Sequence, residues 1–248
     1  MSGDLEFVGP AWSLPRVRVL STTRTGGASV GHCASLNLAL HVDDDPAAVA
    51  ENRRRLRVAG GLPAEPLWLE QVHGVEVVVH RGQSRVPRAD ATVAFEPGRV
   101  CVAMTADCLP VVLADRSGTR VGVAHAGWRG LAGGVIEATV AALGCAPETL
   151  VAWLGPAIGP AAFEVGPEVR EAFVSRDPRA DACFESNPRG RHQADLRGLA
   201  RLALARSGVA EVTASDDCTA TDRSRYFSHR RDGASGRMAT LAWLEPAP

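Results

Sequence analysis

Residues 105–130 read TADCLPVVLADRSGTRVGVAHAGWRG, in which two apolar runs are separated by a short polar segment. The run Val111–Leu113 and the run that closes at His125 are typical of strands, and Ser117–Gly118 can reverse the chain between them. The pattern predicts a β-hairpin that carries Cys108 and His125 toward opposite ends of a strand pair. Whether the thiol and the imidazole meet depends on the strand register, which the sequence does not determine.

The GWRG motif at residues 127–130 indicates a site for an anion. A helix is predicted from about Leu131 to Leu143, and a helix N-terminus offers free N–H groups and a partial positive charge. Arg129 adds a guanidinium that can bind phosphate through two hydrogen bonds. Arg24, in the loop TTRTGG, is a second candidate of this kind. A surface charge at Arg129 beside a buried Trp128 fits the pattern equally well.

The composition is that of an ordinary globular protein. The chain has 248 residues, of which 46% are hydrophobic and 22% charged, and its net charge is −1. No apolar run reaches the roughly 18 to 20 residues that a membrane helix needs, and the N-terminus lacks a basic region followed by an apolar core. We therefore expect no membrane span, no signal peptide and no bulk binding of nucleic acid.

The basic residues and the cysteines exclude several classes of chemistry. All 27 basic residues are arginine, which rules out a lysine Schiff base and a P-loop with its lysine. Six cysteines are scattered with no CxxC pair. Without an export signal, this spacing argues against a disulfide framework and predicts a cytoplasmic protein.

Strand patterns bunch in the middle of the chain and helical patterns lie to either side. Strand-like runs occur at 17–21, 67–72, 75–80, 91–95, 100–104, 111–114, 120–125, 150–154 and 237–244. Helices are predicted at 46–58, where Asp45 and Pro46 mark the start, and at 131–143, 168–174 and 196–207. The order favours an α+β fold. No linker or repeat interrupts it, so we predict a single domain over residues 1–248.

His73, Cys108 and His125 each lie beside a loop at the end of a predicted strand. Two imidazoles and a thiolate with an open fourth position are typical ligands of catalytic zinc, which activates water near neutral pH. The same residues fit a Cys108 nucleophile with His125 as its base, oriented by Asp107. They also fit a blue-copper centre with Met104 as the axial ligand. Spacing alone favours none of these over a buried structural cysteine and isolated histidines.

The segment FSHRRDGASGR at residues 227–237 is the other cluster of polar chemistry. Its histidine and arginines could bind an anionic or ribose-bearing ligand; they are His229, Arg230, Arg231 and Arg237. A solvated charge run is the more common outcome for such a loop. Residues 216–218, Asp-Asp-Cys, fit a plain turn better than a metal cluster.

Several motifs occur together in a fixed order: TTRTGG, SLNLALHVDDDPAAVAENRRRL, LEQVHG, ADATVA, TADCLPVVLAD, VAHAGWRGL, LGPAIGP, FEVG and SHRRDGASGR. In this combination the sequence resembles the YfiH or laccase-domain family, also called the multicopper polyphenol oxidase or purine nucleoside phosphorylase family. The resemblance covers nearly the whole chain, from Arg24 to Arg237. It implies a four-layered αββα sandwich similar to the catalytic domains of cytotoxic necrotizing factors.

The resemblance also implies a zinc site formed by the histidine of QVHG, the cysteine of ADCLP and the histidine of HAGWRG. In this sequence these residues are His73, Cys108 and His125. The implied activities are phosphorolysis of adenosine, inosine, guanosine and methylthioadenosine, and deamination of adenosine. Some members have been labelled copper-dependent laccases. Ala161–Ala162 stands where some relatives carry cysteines, which weakens a multicopper interpretation.

The leading hypothesis is a zinc-dependent purine nucleoside phosphorylase with adenosine deaminase activity. Cys108 and His125 would be its catalytic residues, and Arg24 and Arg129 would bind phosphate. The alternatives are a Cys–His hydrolase or amidase that edits peptidoglycan precursors, a copper-dependent polyphenol oxidase, and a metal-binding module without turnover. Phosphate dependence separates the first two.

Overall fold

The computed structural model describes residues 4–247. Its strands are β1 (Phe7–Val8), β2 (Val17–Thr22), β3 (Val77–Val79), β4 (Ala91–Ala94), β5 (Cys101–Thr105), β6 (Leu109–Asp115), β7 (Val121–Ala126), β8 (Leu150–Leu154), β9 (Glu164–Val165), β10 (Phe184–Ser186), β11 (His192–Ala194), β12 (Glu211–Ala214) and β13 (Met238–Leu244). The α-helices are α1 (Pro46–Ala59), α2 (Trp128–Gly133), α3 (Val135–Leu143), α4 (Pro167–Val174), α5 (Leu196–Arg206) and α6 (His229–Asp232).

The strands form three sheets, and the fold is α+β, as the sequence predicts. One sheet has the order β1-β2-β13-β5, a second has the order β12-β8-β6-β7-β4-β3, and a small third sheet has the order β10-β11-β9. Most neighbours pair antiparallel, but β3 with β4 and β12 with β8 are parallel. The last strand, β13, lies between β2 and β5 and pairs with both, so it connects the two parts of the four-stranded sheet.

The β6–β7 hairpin forms as predicted, but the expectation that it separates Cys108 from His125 is wrong. In the antiparallel register Leu109 pairs with Ala126 and Pro110 pairs with His125. The turn lies at the far end of the hairpin, so the start of β6 and the end of β7 are neighbours. Cys108 and His125 therefore lie at the same end of the strand pair.

Successive side chains of the central strands point to opposite faces of the six-stranded sheet, and both faces are buried. In β6, Val112 packs against the four-stranded sheet in a cluster that includes Trp153 and Leu244. Val111 points the other way, into a cluster with Ile136 of α3 and residues of α4 and α5. Helix α1 covers the outer face of the four-stranded sheet. The metal-ligand candidates lie at one end of the strands of this doubly covered sheet.

Two helix predictions differ in outcome. Helix α1 begins at Pro46 with Asp45 as its cap, which accepts a hydrogen bond from the N–H of Ala47 at 2.9 Å, as predicted. The single helix predicted over 131–143 is instead two helices, α2 and α3. Gly134 between them adopts the left-handed conformation with φ of 105°, which interrupts the helical hydrogen bonding. The run 67–72 forms no strand; it contributes one bridge, from Glu70 to Arg88.

None of the helices within residues 4–247 combines the length and the apolar character needed to cross a bilayer.

The hairpin turn supplies a test of the fold. Gly118 has φ of 68°, and a Cβ there would overlap the carbonyl oxygen of Pro15. Gly98 has φ of 78° with nothing within 4 Å of a built Cβ. We expect Gly98→Ala to cost about 1–2 kcal/mol from the left-handed backbone alone. Gly118→Ala should cost about 1–3 kcal/mol more, because backbone must move. Urea unfolding of both variants measures this difference, and equal losses would contradict the packing of this turn.

Candidate metal centre and its cavity

Cys108, His125 and His73 come from three separate segments that meet at one end of the six-stranded sheet. Cys108 directly precedes β6, His125 lies in β7, and His73 is in the loop before β3. One ligand atom from each residue lies within 4.8 Å of the others. Sγ of Cys108 is 3.8 Å from Nε2 of His73, and the two imidazole rings pack edge to face with centroids 4.7 Å apart. The fold thus assembles three residues that are remote in sequence.

The glycines of the GWRG motif provide the room for this convergence. A Cβ on Gly127 would lie 2.7 Å from Cδ2 of His73 and 3.0 Å from Sγ of Cys108. A Cβ on Gly130 would lie 2.8 Å from the carbonyl oxygen of Gly74. Helix α2 can approach the ligand residues this closely only because both positions lack a side chain.

The buried carboxylate of Asp90 holds the loop that carries His73. Oδ1 of Asp90 accepts a hydrogen bond from the N–H of His73 at 2.9 Å. Oδ2 accepts from the N–H of Gly74 at 2.7 Å and from that of Val72 at 3.2 Å. His73 has φ of 60°, a conformation that is uncommon outside glycine and that surrounding contacts must maintain. The three hydrogen bonds to Asp90 supply those contacts.

The same carboxylate orients His125. Oδ1 of Asp90 and Nδ1 of His125 are 2.8 Å apart, which leaves Nε2 of the ring for an ion. The N–H of His125 also donates to the carbonyl of Asp90 at 2.7 Å. Burial alone raises the pKa of the Asp90 carboxyl, but hydrogen bonds from His125 and Gly74 hold it below its ordinary value. Asp90 was not predicted from the sequence, where its only signal is its place before a strand in ADATVA.

Asp107, which the sequence suggested as the partner of His125, has another role. Its carboxylate accepts hydrogen bonds from the hydroxyls of Thr219 at 2.7 Å and Ser228 at 3.0 Å and from the N–H of Arg230 at 2.7 Å. These bonds fasten residues 219–230 beside Cys108. They bring His229, the first residue of α6, to the site.

The donor set fits a transition-metal ion. Two imidazole nitrogens and a thiolate suit zinc or copper and are poor ligands for magnesium or calcium. Bonds of about 2.1 Å to nitrogen and 2.3 Å to sulfur let one ion bridge atoms up to about 4.4 Å apart. The separation of 3.8 Å between Cys108 and His73 lies inside this limit. The ligand atom of His125 lies within 4.8 Å of both, so the three residues could hold one ion and leave a position open for a reactant.

Electrostatics at the centre favour the thiolate. Burial alone raises the pKa of the Cys108 thiol, but the charge and hydrogen bonds of His125 and His73 lower it to about 6. Burial likewise lowers the pKa of His125, but Cys108 and Asp90 raise it to about 9. Without an ion, Cys108 and His125 form a thiolate–imidazolium pair at neutral pH. The sulfur is thus ready for metal binding or for nucleophilic attack.

Gln71 ties the His73 loop to the neighbouring sheet. Its side-chain carbonyl accepts from the N–H of Met104 at 2.7 Å, and its amide donates to the carbonyl of the same residue at 2.8 Å. The Gln71 side chain thereby makes the two backbone hydrogen bonds that a neighbouring strand would make with Met104, near the end of β5. The side chain of Met104, the candidate copper ligand, packs with the apolar cluster under α1.

His73, Cys108 and His125 line a cavity of about 350 Å³. Polar and basic side chains dominate its wall, which comprises His41, Gln71, His73, Met104, Thr105, Ala106, Cys108, His125, Arg129, His229 and Arg237. Arg129 lies exposed at the start of α2, where its guanidinium stacks 4.5 Å from the centroid of the Trp128 ring. Helix α2 has only six residues, whereas the sequence predicted an anion site at the start of a long helix. Of that predicted site, a short helix and Arg129 remain.

Arg24 lies elsewhere. It lines a different, open cavity with Thr25, Ser35 and Arg223. Its Nε and Nη2 groups donate to the carbonyl of Ala34 at 2.8 and 2.6 Å, and its guanidinium lies 4.5 Å from the centroid of the Phe227 ring. Its structural contacts give no support to the phosphate contact expected from the sequence.

The other arginines of the 227–237 segment divide between structure and cavity. Arg231 donates to the carbonyls of Thr219, Ala220 and Tyr226. Arg230 donates to the carbonyl of Glu164 at 2.9 Å. His229 and Arg237 face the cavity. Asp217 bonds to Arg225 and Tyr226, and within residues 4–247 no metal-ligand group other than the His73 cluster is found.

Replacement of Asp90 tests its role in positioning the ligands. Asp90→Asn removes the charge that orients His125 and weakens the hold on the His73 loop, so metal affinity should fall about 10- to 100-fold. Asp115→Asn is the matched control: Asp115 is also buried and accepts hydrogen bonds from Ser117, Thr119 and Arg120, but at the far hairpin turn. Competition with a chelator measures affinity. Equal affinities for the two variants would contradict the assigned role.

The lowered pKa of Cys108 predicts its alkylation profile in the metal-free protein. The thiolate fraction should rise as pH passes 6 and be complete above about pH 7, because each unit beyond the pKa changes the ratio tenfold. Burial raises the pKa of Cys33 and Cys183 to about 11, so these thiols should stay unreacted. Iodoacetamide labelling with mass spectrometry reports each site. A Cys108 midpoint near the ordinary value of 9.0 would refute the ion pair.

Comparison with known proteins identifies the family. A family model described as multi-copper polyphenol oxidoreductase laccase matches residues 18–245. A purine nucleoside phosphorylase of Pseudomonas aeruginosa is 54% identical over 242 residues, which is 96% of this chain and 98% of that protein. Purine nucleoside phosphorylase YfiH of Escherichia coli is 50% identical over 241 residues, 96% of this chain and 99% of that protein.

Solved structures agree with this result. The crystal structure of a Neisseria meningitidis protein superimposes with a TM-score of 0.93 at 46% identity and covers 98% of this chain and 100% of that one. YlmD from Geobacillus stearothermophilus gives a TM-score of 0.89 at 32% identity, over 97% of this chain and 99% of that one. The chain therefore belongs to the laccase-like YfiH family, as the sequence motifs indicate.

Proposed function

We propose that the protein is a zinc-dependent purine nucleoside phosphorylase that also deaminates adenosine. The observation that carries the proposal is the convergence of His73, Cys108 and His125 on a cavity that also presents Arg129. The names of the relatives point to the same reaction class. The proposed substrates are phosphate with adenosine, inosine, guanosine or methylthioadenosine.

The residues of the cavity have separate tasks in this proposal. His73, Cys108 and His125 hold the zinc ion, which when bound supplies a Lewis acid at neutral pH. Asp90 keeps His125 in the tautomer that presents Nε2. Arg129 binds phosphate at the cavity wall. In phosphorolysis a phosphate oxygen bonds to C1′ of the ribose while the bond to the purine nitrogen breaks, and the purine leaves with the electron pair and takes up a proton.

Deamination uses the same cavity with water in place of phosphate. Water adds at C6 of adenosine and the amino group leaves as ammonia, which gives inosine. This reaction needs no phosphate, so the two activities can be measured separately on one substrate.

We extend the proposal to architecture and location. The two large sheets pack face to face, with α1 outside one and α3 to α5 outside the other, which supports a four-layered αββα sandwich of the cytotoxic necrotizing factor type. We also propose a single cytoplasmic domain over residues 1–248. All six cysteines are free thiols in the structure, which supports a reducing compartment.

A Cys–His hydrolase is the second candidate, and the thiolate–imidazolium pair favours it. The pKa of Cys108, lowered to about 6, is that of an activated nucleophile. Such an enzyme would hydrolyse an amide of a cell-wall precursor and would not need phosphate.

Copper is the alternative ion for the proposed centre. The single three-ligand group within residues 4–247 supports one such ion rather than several.

Incubation with adenosine tests the proposed function. With phosphate we expect adenine and ribose 1-phosphate beside the products of deamination, and without phosphate only inosine. Cys108→Ser should abolish both activities, because the centre loses its thiolate ligand. Cys145→Ser is the control, since Cys145 lies outside the cavity lining. Chromatography of the products with metal analysis of each protein gives the readout. Parental rates in Cys108→Ser, or cleavage independent of phosphate, would overturn the proposal.

A further inference from the structure

Arg237 combines a place in the cavity wall with a guanidinium that the protein uses only in part. Its Nη1 group donates to the carbonyls of Ser235 at 2.7 Å and Gly236 at 3.1 Å. Within residues 4–247, its Nε and Nη2 groups donate to no protein atom and no carboxylate pairs with it. Many other arginines have such a partner: Arg206, for example, pairs with Glu137 and Asp177. Arg237 is half-buried in the cavity wall, and Cys108 and Asp107 favour its charge through space, without an ion pair.

The cavity around Arg237 carries no negative side chain apart from the Cys108 thiolate. None of the eleven residues that line it is an aspartate or a glutamate. The nearby carboxylates are engaged elsewhere: Asp90 by His125 and the His73 loop, and Asp107 by Thr219, Ser228 and Arg230. A divalent ion with one thiolate would leave a net positive centre. An anionic ligand is therefore the chemical complement of this cavity.

The backbone holds Arg237 in a defined position. Its N–H donates to Oδ1 of Asn37 at 2.9 Å, across 200 residues of sequence. A Cβ on the preceding Gly236 would lie 2.6 Å from the ring of Phe227 and 2.9 Å from Cβ of Asn37. The backbone at Gly236 therefore packs closely against Phe227 and Asn37, directly before the residue whose guanidinium faces the cavity. Burial lowers the pKa of Arg237, but a guanidinium stays charged at neutral pH.

We propose that Arg237 is the principal phosphate-binding residue of the cavity, and that its free Nε and Nη2 groups hold two phosphate oxygens. This inference rests on the proposed phosphorylase function and deepens it. It replaces Arg24, whose Nε and Nη2 are both taken by the carbonyl of Ala34. Arg129 has the supporting position, since it is exposed at the cavity mouth.

Arg237→Gln tests the proposal against Arg201→Gln. Arg201 is an exposed arginine of α5 outside the cavity lining that also donates to a backbone carbonyl, that of Val212. Loss of hydrogen bonds to a charged ligand corresponds to an increase of about 10- to 100-fold in the KM for phosphate. In Arg237→Gln we expect this increase, a smaller change in the KM for nucleoside, and a deamination rate that falls less than phosphorolysis. Arg201→Gln should match the parent protein in all three.

Phosphate binding is also measured directly, from the rise in the unfolding temperature of the metal-loaded protein as inorganic phosphate is added. The rise should occur in the parent and in Arg201→Gln and be lost in Arg237→Gln. If Arg237→Gln does not fold, Arg237→Lys serves: it keeps the charge but not the paired donors, so the KM for phosphate should still increase.

An unchanged KM for phosphate in Arg237→Gln, or equal losses of phosphorolysis and deamination, would overturn the assignment. If the parent protein shows no phosphorolysis at all, the proposed function fails. The phosphate-induced rise and its loss in Arg237→Gln would still support the anion site. A parent protein that phosphate does not stabilise would refute that site.

Discussion

The antiparallel register of β6 with β7 is the constraint on which the site depends. It pairs Pro110 with His125, so Cys108 must lie beside the imidazole. Asp90, directly before the neighbouring strand β4, then fixes both histidines, since its carboxylate binds Nδ1 of His125 and the backbone of His73. A slip of one residue would turn Cys108 or His125 to the other face of the sheet and dismantle the centre.

Much of this arrangement could be predicted from the sequence, because it depends on local signals. Short apolar runs identified β4 to β7, and Asp45 with Pro46 marked the start of α1. The family and the α+β class followed from ordered motifs and from the bunching of strands. The identities of His73, Cys108 and His125 came from the same motifs, although their role as metal ligands stays a prediction.

The remaining features depend on contacts between distant residues, which the sequence pattern does not contain. Asp90 and Asp107 look alike as short acidic residues beside strands, and only the fold shows that the first orients His125 and the second fastens residues 219–230. The sequence favoured Arg24 and Arg129 for an anion over the arginines of residues 227–237, but the guanidinium of Arg24 is occupied by the carbonyl of Ala34. Gly134 broke a predicted helix through a backbone conformation open mainly to glycine.

X-ray absorption at the zinc edge of the purified protein tests the central claim most directly. The account predicts about one zinc ion per chain, with two imidazole nitrogens at about 2.0–2.1 Å and one sulfur at about 2.3 Å. The sulfur contribution should disappear when Cys108 is replaced by serine. Zinc bound without sulfur, or a protein that holds no transition metal when purified under reducing conditions, would contradict the account.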